Sequence, residues 1–335
     1  MVAYIARRLV LAFFTVVMIS VLAFVVIQLP EGDAADNAIR ILMQEGSAHN
    51  PELAQNLRHY FGLDVPMHVR YGRWVWNLVH GDLGLSLKAY GGYANQIPVK
   101  KVLGDRIWLT VALTGFTVVV TWSFAIPIGI YSAVRKHSVG DYTATFLGFA
   151  GLAVPDFLLA LVLMYLAYAY FDQSVGGLFS GDYQNQPWSL GKAYDLIKHL
   201  WIPAVVLGTS GTAGLIRVMR NNLLDELGKP YVVTARAKGV HPLKLIVKYP
   251  VRVAVNPLIS TIGYLLPALV SGSVIVSVVL SLPTVGPVLL EAILTEDSQM
   301  AGFIILMLGV LTVVGTLVSD ILLVVVDPRI KYTGQ

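Results

Sequence analysis

The apolar residues of this chain fall into long runs, not at the three-and-four spacing of a core-facing helix. Six runs stand out: residues 9–29, 107–133, 142–171, 200–220, 258–280 and 301–326. A helix of about 20 apolar residues crosses a hydrocarbon core about 30 Å thick. The bilayer core holds no water for backbone polar groups, so a crossing segment must be a helix or a strand of a closed barrel. Barrel strands alternate and are short, whereas these runs are long and uniformly apolar. The pattern predicts an all-α integral membrane protein with six transmembrane helices. The first run follows Arg7-Arg8 and is read as an uncleaved anchor, because no small-residue cleavage site follows its long apolar stretch.

Lysine and arginine placement sets the orientation, since short loops rich in them stay cytoplasmic. With the N-terminus inside, the inside segments carry 14 basic and four acidic residues, and the outside segments 10 basic and 14 acidic. Asp156 and Asp320 remain within spans. Both termini are therefore expected to be cytoplasmic. The chain then reads as a start and first span over 1–29, an outside insertion over 30–106, and a five-span core over 107–332.

The insertion carries helix punctuation. Asn50-Pro51-Glu52 offers an N-cap, a proline at the first helical position and an acid at the positive helix end, and Gly62 offers a stop. A second helix is predicted from Pro66 to Val79, ending at Gly81. Its Tyr71, Trp74, Val75 and Leu78 form one stripe, and Trp74 and Trp76 suit a membrane interface. The insertion serves either as a scaffold cap or as a surface for substrate or a receptor.

The segment between the fourth and fifth spans is longer than a plain connection and is also punctuated. Pro230 starts a helix, Ala235 and Ala237 favour it, Gly239 ends it, and Pro242 opens a second short helix to about Tyr249. A stiff helix–turn–helix can transmit a rigid-body push to the spans. Its basic residues Arg236, Lys238, Lys244 and Lys248 also follow from the positive-inside rule, so docking on a protein and facing lipid headgroups both stay open.

The sequence Tyr231-Val232-Val233-Thr234-Ala235-Arg236-Ala237-Lys238-Gly239 resembles the EAA-type loop of bacterial ABC importer permeases of the oligopeptide/dipeptide type. Val233-Thr234-Ala235 stand where the general motif has Glu-Ala-Ala, so only the last alanine is kept; Gly239 matches the motif glycine. Tyr60-Phe61-Gly62-Leu63-Asp64 with Pro66, Gly81-Asp82-Leu83-Gly84 with Ser86, Ser281-Leu282-Pro283 with Gly286, and Asp327-Pro328-Arg329 resemble further stretches of that family, in order. The resemblance implies the six-helix ABC importer permease fold with a helical periplasmic insertion. It implies a coupling helix within 226–249 that docks on an ATPase through Tyr231, Val233, Thr234, Ala235, Arg236, Lys238 and Gly239. Its implied partners are a second homologous permease, two identical or different ATP-binding subunits that hold ATP and Mg, and a periplasmic or extracellular substrate-binding protein, in the bacterial inner membrane. Peptides are the family's default cargo, with oligosaccharides or other small solutes as alternatives.

The remaining chemistry narrows the field. No Gly-x-x-x-x-Gly-Lys-Ser/Thr loop is present, so no ATP site or cofactor is expected in this chain. There is no cysteine, which excludes disulfides and thiolate chemistry. The seven histidines are scattered without metal-ligand spacing, and no basic stripe interleaved with aromatics suggests nucleic acid. Charged residues make up 13% of the chain, against about 25% in soluble domains.

Ionisable groups inside a bilayer are costly, which makes Asp156, after Pro155 where the span can kink, either a candidate for the translocation path or a helix-break acid bonded to a neighbouring helix or a freed backbone N–H. Asn256, Ser260, Ser271 and Ser273 join it, because the fifth span is rich in small, hydroxyl and proline residues. Those small and hydroxyl residues also suit plain helix packing, as do Gly208, Gly211 and Gly214 in the fourth span. Asp320 is expected to pair with an arginine or backbone. A secondary transporter using Asp156 and Asp320 as coupling carboxylates is the rival reading, although no internal repeat supports it.

Overall fold

The computed structural model describes residues 2–28, 64–86, 97–171, 176–262, 265, 274–295 and 297–326. These residues are almost wholly helical. The exception is a two-residue antiparallel pair, β1 (Leu85–Ser86) and β2 (Ile97–Pro98). The helix predicted from Asn50-Pro51-Glu52, most of the Tyr60–Asp64 motif, the Asp327-Pro328-Arg329 ending, Ser271 and Ser273 lie outside the described residues.

Among the described residues, three helices are long and apolar enough to cross a membrane unaided. They are α1 (Val2–Gln28), α3 (Val99–Val134) and α12 (Ser298–Val326). Three bent pairs bring the number of spans to as many as six. The first joins α4 (Val139–Ala153) and α5 (Asp156–Phe171) at 101°. The second lies within α6 (Leu190–Leu227), and the third joins Pro242–Ala254 to Asn256–Ile262. The apolar side chains Phe13, Phe14, Leu147, Phe146 and Leu166 are exposed, as lipid contact requires.

The structure corrects several boundaries. The third span, expected as one kinked helix over 142–171, is two helices. Proline disfavours a helical residue before it, and Val154 takes φ −85° and ψ 125°. α3 starts at Val99, not 107. The residues before 107 are polar overall, yet Val99, Val102 and Leu103 form an i, i+3, i+4 stripe buried against Val285, Val288, Met300 and Ile304. α6 runs well past both ends of the expected 200–220. The ten-residue helix α11 (Val285–Leu294), after Ser281-Leu282-Pro283, was not anticipated.

The chain divides into two compact units. One comprises residues 10–110 and 284–313. In it the predicted outer helix forms as α2 (Met67–Val79), its Tyr71-Trp74-Val75-Leu78 stripe turned inward and Trp76 and Val79 exposed. The Tyr71 hydroxyl lies 2.7 Å from Ser20 Oγ, and the Phe24 ring packs on both Tyr71 and Trp74. The Gly81-Asp82-Leu83-Gly84 motif is a turn with both glycines at positive φ, and Gly84 N donates to Asp82 Oδ1. Ser86 Oγ donates to buried Asp297, whose other oxygen accepts from Met300 N at the start of α12.

The other unit comprises residues 1–9, 111–283 and 314–335. Its spine is α6, against which α4, α5 and α9 (Pro250–Ala254) pack. Glycines permit the close approaches expected in the fourth span. A Cβ at Gly208 would stand 2.7 Å from Thr121 Oγ1, so that position is closed to larger residues. Gly214, given the same packing reading, faces open space instead.

Candidate functional site: a hairpin rooted in the longest helix

Two short helices follow α6 after a two-residue link: α7 (Pro230–Ala237) and α8 (Pro242–Lys248). Each starts with a proline at its first position, whose fixed φ suits a helix start and whose missing N–H costs nothing there. α7 ends as the sequence predicts. Gly239 takes φ +71°, its N–H donates to Arg236 O, and Val240 N donates to Ala235 O. This pair of bonds is the Schellman motif, with its usual apolar contact between Val240 and Ala235. The chain thereby reverses within four residues.

The hairpin has its own small core. Val232, Ala235 and Leu245 are buried, with Val240, Ile246 and Tyr249 packed on them. The opposite surface is open. Tyr231, Val233, Thr234, Arg236, Lys238 and Gly239 are all exposed, as are Leu243 and Val247 on α8. Six of the seven residues proposed from the sequence for ATPase coupling therefore share an outward surface. Ala235 is the exception and points inward, holding the two helices together. Tyr231 Oη donates to Glu226 at the end of α6, tying the surface to the long helix.

The hairpin's roots are packed together. Leu215, Met219 and Leu223 of α6 share one core with Ala254 and Leu258, which follow the hairpin, and with Ala125 and Ala133 of α3. A force on the outer surface would therefore reach α6, α9 and α3 through close-packed side chains.

A second brace lies beside these roots. Arg220 holds Asp141 through two bonds, Nε to Oδ1 and Nη2 to Oδ2, both 2.9 Å. Asp141 is almost fully buried and also accepts from His137 N, while Ser138 Oγ caps α4 by accepting from Asp141 N. The hydrogen bonds from Arg220 hold this carboxyl below the usual carboxylate range, against the opposing effect of burial. The Asp141–Arg220 pairing was not read from the sequence. Ser138 and Asp141, three apart before an apolar run, are the signal that was there to find.

Of the candidate path residues, Asp156, Asn256 and Ser260 lie among the described residues. Asp156 opens α5, where the positive helix end favours an acid. Asn256 opens the next apolar helix, and the Ser260 hydroxyl is used locally, donating to Asn256 O. Asp320 pairs with Arg8 at 3.0 Å, the structural role expected of it.

Comparison with known proteins fits this architecture. Residues 125–332 match the binding-protein-dependent transport system inner membrane component family, and residues 1–114 match its N-terminal membrane component. The chain is 33% identical to the oligopeptide transport system permease protein AppB of Bacillus subtilis (strain 168), over 99% of this chain and all of that protein. It is 29% identical to the dipeptide transport system permease protein DppB of Escherichia coli (strain K12), over 99% of each. Among solved structures, the MetNI methionine ABC transporter in inward-facing conformations matches with a TM-score of 0.52 and 17% identity, covering 68% of this chain and 97% of that one. Long apolar helices, a braced hairpin and matches along nearly the whole length agree: the chain belongs to the inner-membrane permease components of binding-protein-dependent transport systems.

Proposed function

We propose that this permease subunit forms half of the translocation path of an ATP-driven importer for oligopeptides or dipeptides, and that the hairpin at 226–249 is where ATP-hydrolysing subunits grip it. The observation that carries this reading is the hairpin itself: an exposed face of mixed apolar and basic residues on a small packed core, continuous with the 38-residue α6. The peptide cargo rests on the names of the full-length relatives. A homologous permease would complete the path, two ATP-binding subunits would supply hydrolysis with Mg, and a binding protein outside would deliver substrate. Both termini would lie in the cytoplasm, the side that the distribution of lysine and arginine favours.

In this mechanism the ATPases close on ATP and draw the exposed face of α7 with them. The Schellman turn and the Val232–Leu245 core prevent the hairpin from absorbing that motion. The common core of Met219, Leu223 and Leu258 passes it to the spans. The test is the full complex with Val233→Asp, which changes only an exposed side chain, and with Gly239→Val, which strains a positive-φ position. Both are expected to reach the membrane at normal levels, to lose ATPase co-purification, and to lose ATP-dependent uptake of labelled peptide at least tenfold. Normal co-purification and uptake in Val233→Asp would overturn the coupling role. Uptake that collapses with an uncoupler while ATP stays high would overturn the energy source.

A further inference from the structure

Between α3, α4 and α6 lies an open groove of about 630 Å³ whose walls are almost entirely apolar. Phe124, Tyr131, Leu147 and Val205 line it and remain exposed along its length. It extends from Val120 to Tyr131 on α3 and from Ala204 to Ile216 on α6. The α6 stretch runs through that helix's 55° bend, and the α3 stretch, at about 1.5 Å per residue, is roughly 16 Å long. That is close to half of a hydrocarbon core about 30 Å thick, the depth of one leaflet.

The groove is apolar along its length but basic at one end. A smaller cavity of about 250 Å³ adjoins it, sharing Ala144, Gly148, Ala213 and Ile216. Arg217, Arg220 and Asn221 line that cavity. Arg220 is neutralised by Asp141. Arg217 is exposed, lies 4.8 Å over the Phe149 ring, and has no carboxylate partner among the described residues. One uncompensated positive charge therefore stands at one end of the apolar slot. A basic pocket between spans suits an anionic headgroup.

We propose that this groove is a binding site for one anionic phospholipid. An acyl chain lies along Phe124, Leu147 and Val205, and the phosphate rests on Arg217 with Asn221 beside it. The inference goes beyond the transport reading and does not depend on the cargo. A lipid seated there would wedge α4 against α6, the helix that carries the hairpin.

The test uses the assembled transporter in nanodiscs of equal phosphatidylglycerol and phosphatidylcholine. The complex is extracted in mild detergent and its retained lipid is counted by mass spectrometry. The expected result is retention of phosphatidylglycerol over phosphatidylcholine by about fivefold, the effect of one basic residue at an anionic surface. Arg217→Ala should abolish the preference and Arg217→Lys should keep it. Val205→Trp should expel the lipid by filling the slot, and Leu147→Trp repeats that test from the opposite wall in case the first variant folds poorly. No preference in the wild type, or an unchanged preference in Arg217→Ala, would overturn the proposal. So would cross-linking of Val205→Cys to the second permease or to a peptide substrate, since the groove would then be a subunit interface or part of the path.

Discussion

The Asp141–Arg220 pair offers a quantitative test of how α4 and α6 are held together. Asp141→Asn keeps the shape and one acceptor oxygen but removes the charge. The Asp141 side chain is 3% exposed and that of Arg220 23%. Removing one partner of a fully buried pair costs about 3–5 kcal/mol, because the other charge is left uncompensated, whereas a surface pair is worth about 0–1 kcal/mol. A quarter-exposed guanidinium can recover part of its hydration, so a loss of about 2 kcal/mol is expected. Unfolding of the solubilised chain by increasing detergent denaturant would measure it. The double variant Asp141→Asn/Arg220→Gln should be more stable than the additive sum by about 1 kcal/mol, since the orphaned charge is gone. The pH dependence has a fixed sign. A carboxyl held below its usual range contributes stability that is complete above the unfolded value near pH 3.9 and is lost only as pH falls toward the folded value. The gap between wild type and Asp141→Asn should therefore be constant from pH 8 to about pH 5 and close below about pH 4. A gap under about 0.5 kcal/mol, or one that closes by pH 6, would refute the brace.

Three other substitutions probe separate features. Leu245→Ala deletes a side chain from a core of only three buried residues, and should loosen the hairpin, cutting ATP-dependent uptake with little change in membrane insertion; limited proteolysis between α7 and α8 would read this directly. Ser86→Ala leaves buried Asp297 without its hydroxyl donor and should destabilise the β1–α12 junction by about 1–3 kcal/mol, whereas Ser86→Thr should retain most of the stability. Gly208→Leu drives a side chain into Thr121 and should lower the thermal unfolding midpoint, while Gly214→Leu, facing open space, should leave it nearly unchanged.

The contrast between those two glycines shows where the sequence stops being informative. Both lie in one apolar run with the same neighbours in composition, and only the position of Thr121 on another helix separates them. Local chemistry was readable where the cause is local. Pro230, Gly239 and Pro242 each impose a backbone conformation within one or two residues, and the hairpin forms where they put it. The stripe on α2 was readable for the same reason, since helical periodicity alone determines its inward face. Pro155 shows the limit of that logic. A proline in an apolar run can kink a helix or end it, and the outcome depends on whether the freed backbone groups find partners elsewhere. Here Val154 turns extended, and α5 departs at 101° with Asp156 at its start. That outcome changes the meaning of the acid. Within a continuous span a carboxylate would need a functional partner to offset its desolvation. At the first turn of a helix the exposed N–H groups already favour it. A structural role thus suffices for Asp156, and the case for a proton- or sodium-coupled carrier loses its first carboxylate. The Arg8–Asp320 pair removes the second, because that carboxylate already has a positive partner.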